Sequence, residues 1–407
     1  LYFHLYLNAF KNTKSSFMQE VLRRSNTSSY LSEVMDDGWG YCEVTSISVV
    51  NPITNSKTNI MNSFEFVHPD DNNQDDETLF KITLPQPVAP NDSVLLDLSF
   101  VSKLPKQAPR TGYVKDFYFV AQWFPKIAVW QDNTWNAHQF HAHGEFFANY
   151  GNYDVSITVP QNFILGACGV LTDSTAQADG MVTYRYQQDC IHDFAWTAYP
   201  NYRVATRMFE QENLPSVRMR LLYQPEHKKD VDDFFKATEN TLKYFGTWYV
   251  PYPYDHITIV DTAPGSRASG MEYPTLFTTG TDWIKASGRQ SPEWLTVHEC
   301  GHQFFYGLVG TNEMEHPWMD EGFVVYATAR CMNVAYGPPR YWKGYLSRKN
   351  FDIPFTFGGV EIDPRQWTMD KHRERCHLDI MQKCSWQFVD WLAYRNNAYE
   401  KPALMLW

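Results

Sequence analysis

No stretch of this chain approaches the roughly 18 consecutive apolar residues that a membrane-crossing helix needs, so no transmembrane segment is expected in it. Positive charge is scarce. The 35 Lys and Arg stand against 46 Asp and Glu, a net charge of −11, which argues against nucleic acid as a partner because phosphate binding needs clustered Lys and Arg. The seven cysteines (Cys42, Cys168, Cys190, Cys300, Cys331, Cys376 and Cys384) never fall at Cys-x-x-Cys spacing, so thiolate zinc sites and dithiol redox motifs are not expected. Cys168 and Cys190 flank an expected hairpin, and Cys376 lies near Cys384. Either pair would bridge in an oxidising compartment, with free buried thiols as the equal alternative. Internal repeats, low-complexity tracts and a signal peptide are also missing. The first residue is Leu1, however, Leu1 to Leu7 reads as the middle of a strand, and Lys401 to Trp407 stops inside an apolar helical pattern. The expected reading is a fragment of a longer protein, in which missing targeting signals carry little weight. Asn26-Thr27-Ser28 and Asn91-Asp92-Ser93 fit glycosylation sequons. The compartment stays open between an exported or periplasmic location, which the reading favours, and the cytoplasm.

What is present is the composition of a globular chain of 407 residues, long enough for two or three domains, with an aromatic content of 16% that favours β-rich packing. Up to about residue 210, short alternating runs at 43–50, 79–84, 93–98 and 153–159 are punctuated by Pro, Asn, Asp and Gly clusters, as in an antiparallel sandwich or saddle-shaped sheet. Beyond Asp230 the period changes. Residues 231–249 read as a helix, 256–260 as a buried strand, and two strong helices follow. The expectation is an α+β multidomain chain, with an N-terminal antiparallel β-sandwich or saddle domain over 1–210 and an α+β catalytic domain over 211–407.

The chemistry is concentrated in His298-Glu299-Cys300-Gly301-His302, followed by Glu321 within Trp318-Met319-Asp320-Glu321-Gly322-Phe323. Helical positions i and i+4 share one face, so both imidazoles reach one ion, while Glu299 points beside it, as suits a base acting on metal-bound water. The 18 residues between His302 and Glu321 let one helix end and a second return. Two imidazoles and one carboxylate leave a fourth tetrahedral position open, the pattern of a catalytic zinc rather than a structural one. Ser291-Pro292-Glu293 is a good helix start, and Trp294, Leu295, Val297, Gly301, Phe304, Phe305 and Leu308 give the periodicity of a largely buried helix.

Upstream, the small residues of Gly265 to Gly270, directly after the buried strand, suit an edge segment that a substrate backbone approaches closely. Taken alone, Glu272 there reads as a loop acid, and Tyr399 as one of 25 tyrosines with a hydroxyl able to donate to an oxyanion. In His138-Gln139-Phe140-His141-Ala142-His143-Gly144-Glu145, alternation puts His141 and His143 on one face and His138 on the other, so surface or packing roles outweigh a second metal site.

Taken together, His298-Glu299-x-x-His302, Glu321 in Trp-x-x-Glu-Gly-Phe, Gly270-Met271-Glu272 upstream and Tyr399-x-Lys401 downstream resemble the aminopeptidase N family, the gluzincin zinc metallopeptidases that also include the leukotriene hydrolases. His192-Asp193-Phe194-Ala195-Trp196 resembles the motif closing that family's N-terminal β domain, and the likeness covers essentially the whole chain. The resemblance implies a thermolysin-like catalytic domain holding one Zn2+ on His298, His302 and Glu321. It implies Glu299 as general base, Tyr399 as donor to the oxyanion, Glu272 as the group that binds a peptide's free α-amine, and the backbone at Gly270 and Met271 pairing with the peptide. The amine-binding side chain that the family supplies from its β domain maps best onto Gln122 in Ala121-Gln122-Trp123-Phe124-Pro125. The chain departs from the family in reading Ser269-Gly270-Met271-Glu272-Tyr273 where Gly-Ala-Met-Glu-Asn is usual, a bacterial-like variation, and in carrying Asp320 for the commoner Asn. The family's C-terminal helical domain is expected to lie outside this fragment. The implied activity is zinc-dependent hydrolysis that removes N-terminal residues from peptides by attack of zinc-activated water. The alternatives are a metallopeptidase acting on blocked or internal bonds and a non-catalytic zinc-binding peptide receptor.

Overall fold

The computed structural model describes residues 1–24, 37–281, 292–337 and 363–407, with the backbone of four short strand segments between 340 and 361. The N-terminal half is built from antiparallel sheets. One pairs Tyr41–Val50 with Leu95–Lys103 and Lys57–Asn59, and another carries Tyr2–His4 between Leu79–Lys81 and Lys126–Ile127. Further along, Gly151–Pro160, Met181–Ile191 and Val170–Ala176 form a three-stranded sheet, and Ile164–Ala167, Trp196–Tyr199, Phe117–Val120 and Gly112–Val114 form a four-stranded one. Alternating sequence explains the long strands. In Tyr41–Val50 the apolar residues Cys42, Val44, Ile47 and Val50 are buried while Glu43 and Thr45 face outward. The bulge between Val44 and Ser46 shifts that phase by one residue.

The sheet that leads into the second half has the order Arg203–Phe209, Val217–Tyr223, His256–Asp261, Leu276–Thr279; its first pair is antiparallel and the next two are parallel. His256–Asp261 is buried along almost its whole length, as a parallel inner strand must be. The helices are α1 (Ser16–Arg24), α2 (Val231–Trp248), α3 (Glu293–Gly301), α4 (Trp318–Tyr336), α5 (Pro364–Arg375), α6 (Trp391–Arg395) and α7 (Lys401–Leu406). Helix α2 buries Phe234, Phe235, Leu242 and Phe245 in a core shared with the parallel strands and with Val297, Cys300 and Phe304. Among the described residues no helix is long and apolar enough to cross a membrane.

The largest core runs across residue 210. Val260, Met271, Tyr273 and Leu276 pack with Phe117, Phe119, Phe140, Phe146 and Phe194 of the N-terminal half. The segment that presents Glu272 is therefore anchored on the β sheets.

Several expectations are corrected. The strand read over 79–84 is paired only at Leu79–Lys81, and Leu1 to Leu7 gives a strand at Tyr2–His4 and then a 3-10 turn at Tyr6–Phe10. Helix α3 is much shorter than its apolar period implies. It ends at Gly301, Tyr306 takes φ 79°, and Gly307 N–H donates to His302 O five residues back. A Cβ on Gly307 would lie 2.5 Å from Gln303 O, so glycine is what allows the chain to close here. Trp294, expected in the core, is 37% exposed. All seven cysteines are free thiols, so neither possible bridge forms. Ser291 and Asn26 lie outside the described residues.

Candidate metal centre and active site

Helix α3 carries His298, His302 follows one turn on as its C-cap, and α4 returns with Glu321 in its first turn, where the helix dipole favours an acid. The three side chains converge. His298 Nε2 lies 3.3 Å from His302 Nε2, and Glu321 Oε2 lies 3.3 Å and 3.5 Å from the two nitrogens. Donors held about 2.0–2.2 Å from a tetrahedral zinc ion stand roughly 3.3–3.6 Å apart, so the triangle has the size that zinc requires. Glu321 Oε2 is buried without a hydrogen-bond partner, an orphan that a cation would satisfy. His302 Nδ1 is 2.7 Å from Asp320 Oδ1, which fixes the ring and leaves Nε2 for the metal. Glu272, His302 and Asp320 also stand within reach of a common ion, but Asp320 is already engaged with His302 Nδ1. The first set is the better fit.

Glu299 is 4% exposed, and its Oε2 has no protein partner. Burial pushes its carboxyl up to about 7, against the pull of His298 and His302 and with help from Glu321 and Asp320. Gly270 faces it. At φ 75° a side chain there would be strained, and its Cβ would stand 3.4 Å from Glu299 Oε1. Met271 bridges antiparallel to Thr278, with Thr278 N–H donating to Met271 O at 2.7 Å, so Gly270 to Glu272 form a short edge beside Leu276–Thr279. Glu272 is 5% exposed, and burial drives its carboxyl well above the usual range; His302 opposes this, while Glu145 and Glu299 add to it. Tyr273, which replaces the family's usual Asn, turns into the core. Its ring lies 5.7 Å from that of Phe119 and its hydroxyl donates to Arg110 O. Its backbone carbonyl accepts from Gln303 Nε2.

Tyr399 comes from a turn of wide π-type helix at Asn396–Glu400, and its hydroxyl donates to Glu321 Oε1 at 2.5 Å. The sequence-read residues His298, Glu299, His302, Glu321, Gly270, Met271, Glu272 and Tyr399 therefore gather at one place.

Gln122 does not offer its amide to that place. Its Nε2 donates to Asp193 and its Oε1 accepts from Lys126 Nζ at 2.8 Å. Lys126 and Asp193 form a fully buried ion pair at 2.7 Å, and such a pair needs every remaining polar valence filled. Gln122 fills them. The N-terminal half reaches the site through Glu145 instead, whose Oε1 accepts from Arg110 while Oε2 stays buried and unpartnered. Burial raises the Glu145 carboxyl to about 7, with Arg110 opposing and Glu321 and Asp320 reinforcing. Sequence reading quoted Glu145 only as the end of the histidine cluster, and its pairing with Arg110, 35 residues away, left no local signal.

The histidine cluster is corrected too. Residues 137–143 form no strand, so alternation does not apply. His138 and His141 both bond Asp70 and both pack on Trp386, whereas His143 packs on Tyr394.

Two imidazoles one helical turn apart, a carboxylate from the next helix and a buried free acid beside them have the geometry that a mononuclear site of the metallohydrolase type requires. A model of the Peptidase family M1 domain matches residues 195–354. It is 25% identical over 203 residues to a leucine aminopeptidase 2 of Coccidioides immitis, covering 49% of this chain and 31% of that protein. It is 26% identical over 165 residues to an aminopeptidase 2 of Candida albicans, covering 39% and 16% respectively. The matches thus span less than a third of these relatives' length. Among solved structures, an M1 zinc metallopeptidase of Deinococcus radiodurans superposes with a TM-score of 0.58 at 16% identity, covering 90% of this chain and 72% of that one. An aminopeptidase A of Legionella pneumophila, solved with aspartic acid, gives 0.53 at 13% identity, covering 73% and 33%. These likenesses show a shared fold.

Proposed function

We propose that the chain is the working part of a zinc aminopeptidase, with residues 211–407 as a thermolysin-like catalytic domain and residues 1–210 as a β domain that closes one wall of the site. The observation that carries the reading is the triangle of His298, His302 and Glu321, sized for zinc, with Glu299 buried beside it. The family match and the aminopeptidase names of the relatives support it.

His298 Nε2, His302 Nε2 and Glu321 Oε2 would hold the ion, which when bound supplies Lewis-acid polarisation of the peptide carbonyl and of the attacking water. Glu299 takes a proton from that water and delivers it to the departing nitrogen; a carboxyl raised to about 7 suits both tasks near neutral pH. Tyr399, with its hydroxyl already at Glu321, donates to the oxygen that becomes negative as the carbonyl is attacked. Gly270 lets substrate backbone lie against Glu299.

Substrate choice follows from charge. Glu145, Glu272, Glu299, Asp320 and Glu321 are all buried near the site, where Arg110 supplies positive charge beside Glu145 and the imidazoles of His298 and His302 serve as neutral ligands. Adding one dication still leaves Glu272 and Glu145 with room for a cation, and the α-ammonium of a peptide is the natural one. A blocked N-terminus would leave two buried carboxylates facing an amide. This favours aminopeptidase action over cleavage of blocked or internal bonds.

Replacing Glu299 by Gln tests the mechanism. The variant is expected to retain one zinc per chain by elemental analysis and to lose turnover by roughly 10²–10⁴-fold or more. Undiminished hydrolysis with zinc in place would sink the assignment.

A further inference from the structure

Beyond Gly270 lies a cleft of about 640 Å³ lined by His227, Thr262, Ser266, Ser269, Thr281 and Leu295. It shares a wall with the site just described. Leu295 stands one turn before Glu299 on α3, and a Cβ on Gly270 would meet Glu299 Oε1 at 3.4 Å and Leu295 Cδ1 at 3.7 Å. The order along the edge segment sets a direction. Glu272 marks where a peptide would begin, Gly270 lies beside the base, and Ser269 opens on the cleft. A peptide laid along this edge sends its leaving portion into that space.

The cleft has a built polar centre. His227 is 5% exposed, and its Nδ1 is 2.8 Å from Asp261 Oδ2. Asp261 is completely buried and also accepts from the Gln224 backbone N–H at 2.9 Å, so its carboxylate receives the Nδ1 proton. The other ring nitrogen has no protein partner among the described residues, and His227 lines the cleft. The hydrogen bond to Asp261 raises the imidazole above its ordinary value, with burial opposing, which favours the protonated ring that a carboxylate in the cleft would meet. Thr281 Oγ1, on the same wall, is buried without a partner. A Cβ on Gly280 would lie 3.2 Å from Ser269 Oγ and 3.9 Å from Thr262 Oγ1, so two more hydroxyls converge over an open backbone position.

We infer that this cleft is a carboxylate subsite for the leaving portion of the substrate, where the His227 ring, set by Asp261, and the Thr281 hydroxyl meet the carboxylate. The inference rests on the peptidase reading and adds a substrate class to it. Short peptides whose C-terminal carboxylate, or an acidic side chain following the first residue, reaches His227 are preferred over neutral ones.

Calorimetric titration of the zinc-loaded Glu299→Gln chain decides this without relying on turnover. The ligands are di- to tetrapeptides as free acids, as neutral C-terminal amides, and as amides carrying one Glu after the first residue. A carboxylate at the right length is expected to tighten binding about tenfold, as a charged hydrogen bond does. Whether the free acid or the Glu-bearing amide shows the gain identifies which carboxylate is read. Adding His227→Gln should abolish the gain, and Thr281→Val should reduce it. Equal binding of all three ligand types at every length, or a gain that survives His227→Gln, overturns the subsite. Hydrolysis of the neutral amides by the unsubstituted chain is scored separately. Its failure would count against the peptidase reading, while the titration would still report on the cleft.

Discussion

At the level of single residues, the metal donors were legible because their chemistry is local. His298 and His302 are one helical turn apart, and Glu321 sits in a first turn announced by its own sequence. Gln122 and Glu145 were not legible, since each depends on a partner far away in the chain, Asp193 at 71 residues and Arg110 at 35. Gln122 is claimed by Lys126 and Asp193, and Glu145 is aimed by Arg110. A Glu145→Gln substitution is accordingly expected to raise KM for free-amine peptides by about 10- to 100-fold, the worth of a charged hydrogen bond, while changing kcat by much less. Steady-state kinetics check this, and an unchanged KM would remove Glu145 from the amine site. His141 offers a second residue-scale prediction. Burial alone would lower its pKa, but hydrogen bonds to Asp70 and Glu20 outweigh that and raise it from 6.5 to about 9. A raised folded-state value contributes stability that is full below about pH 6.5 and is lost as pH rises through about 9. His138, raised by Asp70 and Glu315, acts in the same direction. Unfolding free energies from urea titrations should therefore fall between pH 6 and pH 9, by on the order of a few kcal/mol in total. The fall should be clearly smaller in His141→Asn. Identical falls in both proteins would show that the cluster does not titrate in this way.

At the level of elements, period and punctuation located the strands read at 43–50, 153–159 and 256–260 and the helix Val231–Trp248 to within a few residues. They failed for α3. Apolar spacing continues through Phe304, Phe305 and Leu308, yet the helix stops at Gly301 and tertiary packing takes over. A Cβ on Gly301 would sit 2.9 Å from Phe245 Cε2, so α2 and α3 cross in direct contact there. Gly322 does the same for the last helix, since its Cβ would lie 2.5 Å from both Cβ and Cγ of Pro402 and 3.3 Å from Ala398 O. Neither neighbour yields easily, one being a ring and the other backbone. Gly322→Ala should therefore displace the segment that carries Tyr399, destabilising the chain by roughly 1–3 kcal/mol while zinc stays bound. It should lower kcat more than it changes KM. A variant with unaltered kcat would show that α7 and Tyr399 are not held through this contact.

At the level of the whole molecule, the two halves meet in one core. Met271, Tyr273 and Leu276 pack among N-terminal phenylalanines while Gln303, next to His302, holds the Tyr273 carbonyl, so the segment that carries Glu272 is fixed from both halves. The sequence anticipated both textures but not this joint, which arises from contacts between residues more than a hundred positions apart. The same assembly concentrates buried acids around one cavity, and a dication should offset them. Zinc at a hundredfold excess over its dissociation constant is expected to add about 2.7 kcal/mol of stability. Melting with and without chelator measures that gain, and identical melting temperatures would argue against a site formed in the folded state. The central claim is that this metal site serves peptides with a free N-terminus. Its most direct test compares the zinc-loaded chain on one peptide in free and N-acetylated form. Hydrolysis of the free peptide alone, one residue at a time from its N-terminus, is the predicted result, and equal rates on both forms would contradict it.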